Sequence, residues 1–207
     1  IEDKNEVISV KEAAVQGLGF ADDPASVDAL CDVYEGIEEL LGEIEVSLSQ
    51  KTGKKQLQRL ADIFKDAVPV LKDGITRAAS GMKEKGEEAM VGLLAEDISS
   101  LKPYLAEILE STGYVETTIR KLSHRTPAVR RDAAEILAII ETFSAFRGIV
   151  LAARDPDNEV RIQVTKALEK LETDEGKTIL TELENDPDKK VRKYTHWALE
   201  RLRAKAL

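Results

Sequence analysis

The sequence predicts an all-α protein, a solenoid of stacked helical hairpins, and three observations carry that prediction. A motif recurs at a fixed offset, each copy opens an apolar stripe at helical spacing, and aromatic residues make up only 4% of a chain rich in Ala, Leu, Glu and Lys. Asp155-Pro156-Asp157-Asn158-Glu159-Val160-Arg161 runs on to Ala167-Leu168. Thirty-one residues later Asp186-Pro187-Asp188-Lys189-Lys190-Val191-Arg192 runs on to Ala198-Leu199. One offset upstream, Val129-Arg130 leads to Ile136-Leu137, with the shorter turn Thr126-Pro127 in place of Asp-Pro. Self-similarity at a period of this size marks a repeat architecture.

Each element of the unit has a physical reading. Asp155 and Asp186 are expected as helix N-caps, with the following Pro at the first helical position, where its missing N–H costs nothing. Val160, Val164, Ala167, Leu168 and Leu171 then form one apolar stripe, and Val191, Thr195, Ala198, Leu199 and Leu202 repeat it. Phe146–Ala153 and Gly176–Leu183 are expected as the shorter helices that precede them. One hairpin cannot bury its own stripe, so neighbours stack.

Over residues 114–207 this pattern resembles the HEAT repeat, in the short form named for the phycobilisome lyases. The resemblance implies a right-handed, armadillo-like α-solenoid of HEAT-like hairpins, about six units with degenerate or elongated middle helices. It also implies an Asp–Arg ladder between adjacent repeats, with Asp155, Arg161, Asp186 and Arg192 as rungs and Arg130 joined to a weaker partner. It implies little about function, because one fold hosts many.

Residues 1–34 read as an N-terminal HEAT-like unit. Val10-Lys11 with Gly17-Leu18 is a distant fourth copy, Gly19 breaks its helix, and Asp22-Asp23-Pro24 caps the next. Residues 35–113 are less regular and have two readings: degenerate repeats with long helices, or a helical insertion packed as a bundle. Leu30, Val33, Ile37, Leu40, Ile44 and Leu48 predict one helix from about Ala25 to Ser49. Lys51-Thr52-Gly53-Lys54-Lys55 is a basic turn. Leu57, Leu60, Phe64, Val68, Leu71 and Ile75 form the next stripe; Pro69 either kinks that helix or follows a turn near Asp66. Ser80–Glu88, rich in Gly and charge, is expected to be the mobile segment. Met90, Leu93 and Leu94 lead to Ile98 and Leu101, and Pro103 opens a helix that ends at Ser111-Thr112-Gly113.

Composition narrows function. The net charge is −9, with −11 in residues 1–113 and +2 in residues 114–207. An acidic chain repels phosphate backbones, so nucleic-acid binding is disfavoured. The single cysteine, Cys31, allows no internal disulfide and is expected as a buried core thiol; it points to a reducing, cytoplasmic setting. No run approaches the roughly 18 apolar residues of a membrane helix, and no secretory leader is visible. The chain opens on Ile1 rather than Met, which leaves open that it is a module of a longer chain.

No catalytic constellation stands out. His124 and His196 are far apart and neither belongs to a metal-ligand pair; no phosphate-binding loop or nucleophile elbow is present. Within the HEAT-like enzymes, deoxyhypusine hydroxylase relies on iron-binding His-Glu motifs, and the chain has none. Asp155-Pro156-Asp157-Asn158-Glu159 lacks the Gly and distant Glu of a calcium loop. No metal or cofactor is expected.

One local departure from the repeat remains. Three residues after the motif Val stand Asp132, Gln163 and Tyr194; six after it stand Glu135, Lys166 and Trp197. Polar slots turn aromatic in the last copy. Tyr194 and Trp197 either cap the solenoid, cover a following repeat, or anchor a partner, since Trp and Tyr dominate interface hot spots. The expected function is a non-enzymatic scaffold or adaptor that binds a protein or peptide on the surface lined by the second helices. Gln163, Lys166, Tyr194 and Trp197 are the candidate contacts. The alternatives are a HEAT-like enzyme or subunit, resembling a chromophore lyase or a DNA glycosylase, and a structural module of a longer chain.

Overall fold

The computed structural model describes residues 4–34, 40–96 and 100–205, and the side chains from residue 9 onward. Among these the chain is all-α, with twelve helices. It divides into two compact units, Ile1–Thr112 and Gly113–Leu207.

The first unit holds α1 (Lys4–Phe20), α2 (Ala25–Tyr34), α3 (Leu41–Ser49), α4 (Lys54–Asp66), α5 (Pro69–Ala95) and α6 (Lys102–Ser111). The helix expected from Ala25 to Ser49 is instead two helices, α2 and α3, which pack on each other. Folding back buries Leu30 and Tyr34 of one and Ile44 and Leu48 of the other in a shared core, which a straight helix would leave on one open stripe. Ile37 and Ile98 lie outside the described residues. The fourth motif copy does not hold its register: Val10 is 65% exposed, where Val160 and Val191 are fully buried. Asp23 does cap α2, its Oδ1 accepting from the Ser26 amide at 3.0 Å.

The Pro69 alternatives resolve to a turn. α4 ends at Asp66 and Pro69 opens α5, because the residue before Pro is held extended (Val68 ψ 157°). Val68 consequently leaves the stripe and is exposed. The Ser80–Glu88 tract lies inside α5, with Met82 and Gly86 buried, and the helix breaks at Lys83 (φ 54°, ψ −156°).

Two buried polar groups organise this unit. Lys51, which reads as part of a basic turn, is 1% exposed. Its ammonium donates to the carbonyls of Leu18 and Ala21, both at 2.5 Å, and so satisfies the C-terminal end of α1. Tyr34 donates to Glu45 at 2.8 Å and accepts from Arg77 at 2.7 Å, while Arg77 also donates to Glu45 at 2.8 Å, tying α2, α3 and α5 together. Burial and the Glu45 carboxylate raise the Tyr34 hydroxyl above its ordinary value. The ring lies against Gly74, where a Cβ would sit 2.2 Å from Cζ. Gly74→Ala is therefore expected to cost about 1–3 kcal/mol by overpacking, read as a lowered thermal midpoint by far-UV circular dichroism. An unchanged midpoint would show that α5 shifts freely from Tyr34.

The second unit is three hairpins: α7 (Tyr114–Lys121) with α8 (Pro127–Ile140), α9 (Phe143–Ala152) with α10 (Asn158–Leu171), and α11 (Asp174–Leu183) with α12 (Lys189–Lys205). The second helices α8, α10 and α12 stand side by side. The stripe residues Val160, Val164, Ala167 and Leu168 are fully buried, as are Val191, Thr195 and Ala198. Thr142 and Thr173 cap α9 and α11 through their hydroxyls. Glu141 and Glu172 end α8 and α10 with positive φ (60° and 51°), a conformation that favours glycine. Each carboxylate is held by a lysine of the next second helix, Lys170 and Lys205.

The capping expectation needs correction. α10 starts at Asn158, and its N-cap is Asp157, whose Oδ1 accepts from the amides of Glu159 (2.9 Å) and Val160 (3.2 Å). Asp188 does the same for α12, accepting from Lys190 and Val191. Asp155 and Asp186 sit two residues earlier, with Pro156 and Pro187 ahead of the helices. Their carboxylates are engaged elsewhere.

Candidate partner-binding surface

The carboxylates of Asp155 and Asp186 belong to two buried arginines. Arg130 donates from Nε and Nη2 to Asp155 at 2.7 and 2.9 Å. Arg161 donates from Nε and Nη2 to Asp186 at 2.7 and 2.8 Å. Each arginine spans twenty-five residues to its aspartate. The Nη1 atoms turn the other way: Arg130 to the carbonyls of His124 and Arg125, Arg161 to those of Asp155 and Pro156. Each aspartate also accepts the amide two residues on, Asp157 and Asp188, both at 2.8 Å. Burial alone would raise Asp186, but the Arg161 hydrogen bonds, the Asp188 amide and the Arg161 charge together hold it below its ordinary 3.8. Arg192 stands in the third such position, and among the described residues it makes only the carbonyl half, Nη1 donating to Asp186 and Pro187.

The same repeat places a row of side chains along the solvent face of the second helices. Asp132 and Glu135 are exposed on α8, Gln163 is half-buried and Lys166 exposed on α10, and Tyr194 and Trp197 follow on α12. The two aromatic residues differ in surroundings. Tyr194 packs against the buried cluster of Ile162, Leu183 and Val191, whereas Trp197 is 42% exposed. Their rings meet edge to face, centroids 5.7 Å apart at 81°. An ammonium lies over each: Lys166 at 5.6 Å from the Tyr194 centroid and Lys193 at 4.5 Å from that of Trp197.

The two lysines of this patch meet rings, whereas other cations of α12 meet carboxylates. Lys190, Arg201 and Lys205 of α12 pair with Glu159, Glu169 and Glu172 of α10. Lys166 and Lys193 have no carboxylate partner among the described residues and meet only the rings. Lys193 escapes a reading by repeat slots, though its i,i+4 spacing to Trp197 is visible in the sequence. The remaining residues singled out for chemistry do not converge. Cys31 is buried in the first unit, His124 lies in an exposed turn, and His196 is exposed on α12. Among the described residues no cluster of His, Cys, Asp and Glu is placed to hold a metal ion, and no helix is long and apolar enough to cross a membrane.

Comparison with known proteins identifies the repeat. Residues 115–200 match the family model for HEAT repeats. No curated protein matches the chain. Among solved structures, human deoxyhypusine hydroxylase in complex with glycerol is similar at 14% identity, covering 95% of this chain and 98% of that one, with a TM-score of 0.42. A designed armadillo repeat protein in complex with the peptide (KR)4 is similar at 16% identity, over 92% and 98% of the two chains, with a TM-score of 0.37. An engineered protein from a structural genomics consortium is similar at 17% identity, over 92% and 97%, with a TM-score of 0.38. Likeness of this degree says nothing of what this chain binds.

Proposed function

Because residues 115–200 make this chain a HEAT-like repeat protein, we propose that it is a non-enzymatic adaptor that binds a protein or peptide along its second helices. The exposed Trp197, braced edge to face by Tyr194, with Lys193 over its own ring and Lys166 over that of Tyr194, is the observation that carries this reading. Trp and Tyr dominate interface hot spots, and a rigid aromatic anchor loses little entropy on binding. Gln163 and Lys166 extend the same surface onto α10, and Asp132 and Glu135 onto α8. The proposed compartment is the cytoplasm, from the single, buried cysteine.

Affinity capture from native lysate, wild type beside a Tyr194→Ala/Trp197→Ala variant, tests the proposal. A specific protein held by the wild type is expected to bind the variant at least about thirtyfold more weakly, as hot-spot residues of about 2 kcal/mol do. The variant's circular dichroism must stay helical. Equal capture by both would move the site off α12.

A further inference from the structure

The first helices of the second unit do not pack alike. Between α7 and α9, the Ile119 side chain enters the gap left by Gly148, where a Cβ would sit 2.7 Å from Ile119 Cγ1. Thirty-one residues on, the equivalent pair between α9 and α11 is Val150 and Ile179. A branched side chain stands in place of the gap, so these two helices cannot interlock in the same way. Between them lies a groove of about 810 Å³, lined among others by Val150, Leu151, Arg154, Glu175, Ile179 and Glu182. Leu151 is 75% exposed there. Counted two residues back from the C-cap of each first helix, its slot holds Arg120 on α7 and Glu182 on α11. An apolar residue thus stands where both neighbouring hairpins have a charge.

The charges along the groove are sorted by helix. α9 carries Arg147, Val150, Leu151 and Arg154; α11 carries Glu175, Thr178, Ile179 and Glu182. Both sets follow i, i+3, i+4, i+7 spacing, which gathers each on one face of its helix. Each helix therefore presents two like charges with an uncharged pair between them, arginines on one rim and glutamates on the other. Arg154 and Glu182 approach to 3.9 Å, with side chains 89% and 62% exposed, a loose pair that leaves most of both charges in water. Arg147 and Glu175, seven residues back, are exposed and have no charged partner among the described residues. The other charges nearby are engaged: Asp174 with Lys177, and Asp155, Arg161 and Asp186 in the ladder.

We infer that this groove is a self-association surface, on which a second copy of the chain docks about a two-fold axis running along the groove. A two-fold interface needs a patch complementary to itself. Rotation about an axis parallel to the helices lays α9 of each copy against α11 of the other. Arg147 and Arg154 of each copy then face Glu175 and Glu182 of the other, at the level that the Arg154–Glu182 approach marks within one chain. Val150 and Leu151 meet Ile179 at the centre, which removes their apolar surface from water. A two-fold axis across the groove would instead set arginine against arginine. A partner for this groove must carry acid opposite α9 and base opposite α11, with apolar residues between, and this face of the chain itself meets that description. The surface belongs to the first helices, whereas Trp197 lies on a second helix, so neither proposal depends on the other.

Sedimentation equilibrium of the full chain tests the inference, from about 10 μM to about 1 mM, the range in which a small interface associates. A monomer–dimer equilibrium is expected, weakened by salt and weakened at least about tenfold by Leu151→Ser. Arg147→Glu/Arg154→Glu makes both rims acidic, and Glu175→Arg/Glu182→Arg makes both basic. Each of these variants alone is expected to stay monomeric. Mixed together they are expected to dimerise as the wild type does, because each supplies the charge that the other lacks. A folding defect cannot be rescued by mixing, and all four residues are exposed. A wild type that stays monomeric, dimerisation indifferent to either reversal, or a mixture that fails to associate would overturn the inference. A dimer lost on Trp197→Ala but kept by both rim variants would place self-association on the second helices and remove this proposal.

Discussion

An Asp186→Ala variant is expected to lose about 3–5 kcal/mol of stability in the second unit, the cost of breaking a buried ion pair by removing one partner. Asp186 and Arg161 are 6% and 8% exposed. Without the carboxylate, two Arg161 donors and the Asp188 amide lose their acceptor together. Urea unfolding followed by the fluorescence of Trp197, the only tryptophan of the chain, reads this unit. A paired Arg161→Met/Asp186→Leu variant is expected to cost less than the single change, because apolar replacements leave no orphaned charge. The pH dependence has a definite sign. Asp186 is held below its ordinary 3.8 in the folded state. Its stabilisation is therefore complete above that value and is lost as the pH falls below it. Asp186→Asn is expected to abolish that acid limb. A wild-type acid profile matched by Asp186→Asn would show that the rung contributes nothing.

Leu168→Ala is the second large effect, at about 2–5 kcal/mol for a core truncation. Leu168 is fully buried. Its Cδ2 would lie 3.6 Å from a Cβ placed on Gly176, so the side chain fills the space under the first turn of α11. That turn is fixed by the Thr173 cap and has little freedom to collapse into the cavity. The expected reading is a lower urea midpoint by Trp197 fluorescence with an unchanged slope. An unchanged midpoint would contradict the repeat register, since the eight-residue step from Val160 is what places Leu168 inside.

Much of the second unit was legible without coordinates. The period of thirty-one residues locates α10 and α12, and helical spacing picks out the residues they bury. The slot comparison isolates Tyr194 and Trp197, because a repeat supplies its own reference for what is ordinary at each position. The candidate surface is less legible. Lys193 lies over Trp197 only through side-chain placement.

In the second unit local chemistry alone thus determined which segments are helical and which face of each is apolar, since both follow from spacing along one chain. Three-dimensional packing settled everything that required a choice between partners. Asp155 is chemically fit to cap a helix or to hold an arginine; Arg130, twenty-five residues away, took it, and the cap passed to Asp157. The stripe from Leu30 to Leu48 suits one helix or two, and the gain from burying both halves against each other selected two. Lys51 reads as a solvated turn residue, yet the unsatisfied carbonyls ending α1 drew it inside. Each is a competition between long-range contacts, whose energies depend on neighbours that sequence spacing does not specify.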